Sequence, residues 1–133
     1  MNIHPTSIID STAKIASDVQ IGPFCSIGED VQIESGTKII SHAVIKGPTV
    51  IGKSNCIYQF STIGDDTPDK KFKGEKTRLI IGDNNIFREG VTIHRGTTQD
   101  KSVTIIGSNN LFMPFAHVAH DCKVGNDNVF ANL

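Results

Sequence analysis

Four residues in the last third of the chain have the types and spacing that proton transfer needs. His94 stands in Ile93-His94-Arg95-Gly96-Thr97, and His117, His120 and Asp121 stand in Phe115-Ala-His-Val-Ala-His-Asp-Cys122. An imidazole titrates near neutrality, so it can take a proton in one step and return it in the next. A neighbouring carboxylate can orient such a ring and steady its charged form. One outward histidine is ordinarily a solvated surface residue; two within four positions, with Asp121 adjacent, point to a site. Three histidines on adjacent layers could also ligate zinc between subunits, which gives a second reading as a His-ligated zinc enzyme.

What must position these residues is a repeat of six. Ile recurs at 3, 9, 15, 21, 27, 33, 39, 45, 51, 57 and 63, and large apolar residues resume the period at Ile81, Phe87 and Ile93 and at Ile106, Phe112, Val118, Val124 and Phe130. At 3.6 residues per turn this spacing would spiral around a helix, so no single helical face can bury it. In extended chain, residues two apart share a side. The small residue two before each large one (Ser7, Ala13, Val19, Cys25, Val31) therefore faces inward with it, and the polar residue between (Lys14, Gln20, Ser26, Gln32) faces water. Gly follows the large residue in many units (Gly22, Gly28, Gly52, Gly64, Gly82, Gly107, Gly125) and reads as the corner. Three units close a triangular coil, and stacked coils satisfy one another's backbone: a parallel β-helix. With 133 residues and 18 per coil, about seven coils are expected. In this frame none of the three histidines takes the inward position. Asn55, Asn85, Asn110 and Asn128 do take the small inward position, where their amides need partners and could form a ladder between coils.

The count is broken twice. Between Ile63 and Ile81 runs a charged stretch (64–80 with Asp69, Lys70, Lys71, Lys73, Glu75, Lys76 and Arg78), and Ile93 to Ile106 is a step of 13. The first step equals 18, so the loop either replaces a coil or leaves a corner. Loops leaving a rigid scaffold commonly carry function. Its excess of Lys and Arg suits phosphates or an acidic protein, although an ordinary solvated loop has the same composition.

The units Ile21-Gly-Pro-Phe-Cys-Ser, Ile27-Gly-Glu-Asp-Val-Gln and Val124-Gly-Asn-Asp-Asn-Val resemble those of the hexapeptide-repeat acyltransferase family. The segments Ile57 to Gly64, Asp69 to Glu75, Thr92 to Thr97 and Ala116 to Cys122 resemble the branch of that family that acylates UDP-N-acetylglucosamine. The resemblance implies an all-β, left-handed parallel β-helix, in which left-handedness departs from the usual crossover rule. It implies transfer of a 3-hydroxyacyl group from acyl carrier protein to the 3-hydroxyl of UDP-N-acetylglucosamine, the first step of lipid A synthesis. His120 would be the general base, Asp121 its orienting partner, and Asp69, Lys71, His94 and His117 substrate contacts. An oxyanion donor is also required, which the sequence does not mark. No metal or redox cofactor is implied, and a homotrimer is. Pro68 departs from the amide side chain expected before Asp69. The family also continues beyond this length into further coils and a helical domain, so residues 1–133 are expected to be one β-helix domain of a truncated product. A non-catalytic β-helical scaffold is the third reading.

Composition narrows the rest. With 13 basic and 14 acidic residues the formal charge is -1, which gives no bulk attraction to nucleic acid. No apolar run approaches the roughly 20 residues of a membrane span, and Met1-Asn2-Ile3-His4-Pro5 lacks the features of a signal peptide. A cytoplasmic location without membrane insertion is expected. Cys25, Cys56 and Cys122 are odd in number and lack CxxC spacing, as free thiols in a reducing compartment would.

Overall fold

Every large residue of the six-residue period ends a strand two to four residues long, as in Gln20–Ile21, Ser26–Ile27 and Val31–Ile33, or lies within one. This is seen in a computed structural model that describes residues 2–66, 77–97 and 102–131. The strands lie in three parallel sheets of seven, six and six, and each strand pairs with the equivalent strand one coil away. Ile3 faces Ile21, which faces Ile39, and so on through Ile57, Phe87, Phe112 and Phe130. The result is a left-handed parallel β-helix with six complete coils and the first strand of a seventh. Among the described residues there is no helix, and none long and apolar enough to cross a membrane, which says nothing of a membrane β-barrel.

Stacking identical positions buries a continuous column inside each face. From Ile21 to Ile63 the period residues are no more than 2% exposed, and the later coils replace Ile on the seven-strand face by Phe. The Phe87, Phe112 and Phe130 rings stack at centroid distances of 4.9 and 4.8 Å, matching the coil spacing. The small inward position also forms the expected ladder. Asn85 donates from Nδ2 to the Gly107 carbonyl at 2.9 Å, and its Oδ1 accepts the Asn110 N–H at 2.9 Å. Asn55 and Asn110 repeat the pattern, and the hydroxyls of Ser7 and Thr37 make the same two bonds earlier in the helix.

The corners correct the sequence reading in one respect. Left-handed backbone falls three residues after the period residue, where Phe24, Asp30, His42, Ser54, Phe60, Phe115 and Asp121 all have φ between 46° and 65°. At Gly22, Gly52, Gly82 and Gly107 the glycine directly after the period residue is instead required by close approach: a Cβ on Gly22 would fall 1.7 Å from the Ile40 carbonyl oxygen of the next coil. Of the glycines in this position only Gly64 has a left-handed φ, 82°.

Both interruptions are excursions from the same corner. Ile63 pairs with Ile45 and Ile93 on one six-strand face, while Ile81 pairs with Ile51 and Ile106 on the other. The chain therefore advances one corner between Ile63 and Ile81, and again between Ile93 and Ile106, so neither excursion replaces a coil. The three cysteines are free thiols.

Candidate functional site

The corner from which both excursions leave carries the histidines. Thr92–His94 and His117–Val118 are adjacent strands of one face, with Thr92 opposite His117 and Ile93 opposite Val118. Two coils thus bring His94 and His117, 23 positions apart in sequence, into contact. Their rings meet edge to face at 4.9 Å between centroids. His117 is exposed and its Nδ1 shares a 2.8 Å hydrogen bond with Thr92 Oγ1. His94 is half-buried, and its Nδ1 has no partner among the described residues. Burial, then the facing His117, hold the His94 imidazole below its ordinary range, against the opposing pull of Asp65; His120 is close enough to lower it further.

His120 and Asp121 follow Val118 around the corner. Asp121 takes the left-handed position, with φ of 60°, which turns its side chain inward, where it is 4% exposed. Its Oδ2 lies 2.8 Å from His120 Nδ1. An ionised carboxylate only accepts, so Nδ1 carries the hydrogen, and in the neutral ring Nε2 holds the lone pair. A buried carboxylate needs further donors, and Thr97 supplies them. Its N–H lies 2.8 and 3.0 Å from the two carboxylate oxygens, and its hydroxyl donates to Oδ2 at 2.7 Å. The Asp121 N–H in turn donates to Thr104 Oγ1 at 2.9 Å.

A second anchor closes the base of the first excursion. The buried Arg95 guanidinium donates to the Gly47 carbonyl and to the Asp66 carboxylate. Lys46 pairs with Asp65 at 3.1 Å. Partial burial opposes ionisation of Asp65, but the Asp66 N–H and Lys46 outweigh it and hold its carboxyl below the ordinary range.

Of the six site residues expected from sequence, the structure gathers His94, His117, His120 and Asp121 at one corner; Asp69 and Lys71 lie outside the described residues. Sequence reasoning missed Thr97, Thr104 and Arg95 as parts of the site. For Arg95 and Thr97 the available signal was their place beside His94 in the quoted His-Arg-Gly-Thr segment; Thr104, in the small inward position, gave none. Among the described residues no group of three or more His, Cys, Asp or Glu could hold a metal ion, so the geometry gives the zinc reading no support.

Known proteins share both the sequence and the coiled fold. The bacterial transferase hexapeptide family (six repeats) matches residues 104–132. The chain is 60% identical over 130 residues to an acyl-(acyl-carrier-protein)–UDP-N-acetylglucosamine O-acyltransferase of Saccharophagus degradans, covering 98% of this chain and 50% of that one. Among solved structures, LpxA from Acinetobacter baumannii superposes with a TM-score of 0.97 at 56% identity, over 98% of this chain and 50% of the other. The UDP-N-acetylglucosamine O-acyltransferase of Moraxella catarrhalis gives 0.94 at 52% identity, over 97% and 50%. The chain spans about half the length of the curated relatives it matches. Its coils and these matches together show a left-handed β-helix of hexapeptide repeats whose curated and structural relatives are UDP-N-acetylglucosamine O-acyltransferases.

Proposed function

We propose that this chain carries the general-base corner of an acyltransferase that moves a 3-hydroxyacyl group from acyl carrier protein to the 3-hydroxyl of UDP-N-acetylglucosamine, the first step of lipid A synthesis. The observation that carries the reading is the buried Asp121 carboxylate holding His120 Nδ1 at 2.8 Å. With Nδ1 protonated, Nε2 takes the proton of the sugar hydroxyl as its oxygen attacks the thioester carbonyl carbon. The tetrahedral intermediate collapses with cleavage of the C–S bond, and the imidazolium returns the proton to the departing thiolate. Asp121 compensates the charge on the ring between the two transfers. His94 and His117, in contact beside the base, are placed to bind the sugar nucleotide, and Asp69 and Lys71 are assigned to the same task. The chemistry is acyl transfer from a thioester and calls for no cofactor.

The remaining proposals concern setting. The relatives are named for acyl carrier protein and UDP-N-acetylglucosamine, both molecules of the cytoplasm, where we place this protein. A homotrimer would give the outward histidines a facing wall and so form a cleft. Residues 1–133 are proposed to act as one β-helical domain.

The test is an assay of the protein as its gene encodes it, with 3-hydroxyacyl carrier protein and UDP-N-acetylglucosamine, following the O-acylated sugar nucleotide by mass spectrometry. His120→Ala should lower kcat by about 10²-fold or more while leaving sugar-nucleotide binding nearly intact. Absence of transfer by the wild type, or near wild-type kcat in His120→Ala, would overturn the reading.

A further inference from the structure

We infer that Thr97 is a positioning residue for His120: its N–H and hydroxyl fix the Asp121 carboxylate, and that carboxylate in turn fixes the tautomer and orientation of the imidazole. The geometry is a relay of three residues across two coils. Both members of the inner contact are buried, Thr97 at 3% and Asp121 at 4% exposure. The Thr97 hydroxyl and the His120 ring meet the same oxygen, Asp121 Oδ2, at 2.7 and 2.8 Å, so the position of that oxygen depends on both.

Thr97 is itself held. Its carbonyl accepts the Ser102 N–H at 2.8 Å, and the preceding Gly96 N–H reaches the Arg78 carbonyl at 3.3 Å. Asp121 is pinned from the other side, where its own N–H donates to Thr104 Oγ1. The second excursion thus returns its root to the general base. A carboxylate deprived of the hydroxyl would keep the Thr97 N–H but could rotate about its Cβ–Cγ bond, and the imidazole would lose its fixed partner. A kinetic consequence rests on the acyl-transfer reading given above; the positional consequence does not.

The test separates the two. Thr97→Val removes the hydroxyl with little change of shape, and Thr97→Ser keeps it. In this chain labelled with 15N at histidine, ring nitrogen shifts should show His120 held as the Nδ1–H tautomer in the wild type and in Thr97→Ser. Thr97→Val, with an unchanged sheet spectrum by circular dichroism, should give a mixture of tautomers. In the acyl-transfer assay Thr97→Val should lose about tenfold in kcat with KM unchanged. A His120 tautomer in Thr97→Val indistinguishable from wild type overturns the inference, as does a Thr97→Ser variant that behaves like Thr97→Val. If the wild type transfers no acyl group, the functional reading fails, while the ring spectra still decide the role of Thr97.

Discussion

Gly96 lies so close to Asp121 that a Cβ on it would fall 2.7 Å from Asp121 Oδ1. The same atom would meet the Val103 backbone nitrogen at 2.2 Å, a partner that cannot rotate aside. Gly96→Ala should therefore push the Gly96-Thr97 segment away from Asp121. Its expected cost is about 1–3 kcal/mol of stability, read from the urea midpoint, together with loss of the fixed His120 tautomer. A midpoint and ring spectrum equal to wild type would show that the corner tolerates a methyl group.

His94 links the site to pH. Its folded-state pKa lies below the ordinary value of 6.5 because burial and His117 disfavour the charged ring. Between the lowered folded value and 6.5 the unfolded chain binds more protons, so stability rises with pH across that window and is lost as pH falls below about 6.5. His94→Gln removes this dependence. Comparing urea midpoints at pH 8 and pH 5.5, the wild type should lose more stability on acidification than the variant. Equal losses would place His94 in solvent.

If the cleft is completed by neighbouring copies, light scattering should report three chains per particle at micromolar concentration. A strict monomer would count against the proposed wall facing His117.

The depth of each element's legibility has a physical cause. Inward positions such as Ile21, Ile45 and Ile63 were plain in the sequence because a strand repeats every two residues and a coil every eighteen, so burial writes itself as a period. The corner chemistry was half legible. Gly22 marks a corner, but the left-handed turn falls on residues as unlike as Phe24, Asp30 and His42, and no residue type announces it. The first excursion was ambiguous because its 12 extra residues added to a six-residue step happen to equal one coil. At the site, His120 and Asp121 are neighbours in sequence and were found together. Thr97 lies 24 residues from Asp121, across a segment that breaks the period, so only the stacked coils bring its hydroxyl to the carboxylate.

The amide ladder offers a test of the scaffold under the site. Asn85 is wholly buried and serves the next coil twice, donating to the Gly107 carbonyl and accepting from the Asn110 N–H, both at 2.9 Å. Asn85→Ala would strand the part-buried Gly107 carbonyl and the buried Asn110 N–H, and about 2–4 kcal/mol should be lost. The chain itself contains the control. Thr37 occupies the equivalent position two coils earlier, and its hydroxyl makes the same pair of bonds, to the Gly52 carbonyl at 2.8 Å and from the Asn55 N–H at 3.2 Å. Asn85→Thr should therefore recover most of the loss, ending within about 1 kcal/mol of wild type. The comparison isolates hydrogen bonding from volume, because Thr and Ala both leave the column of period residues untouched. Urea midpoints that fall equally in the two variants would mean that the shape of Asn85, and not its two hydrogen bonds, holds these coils together.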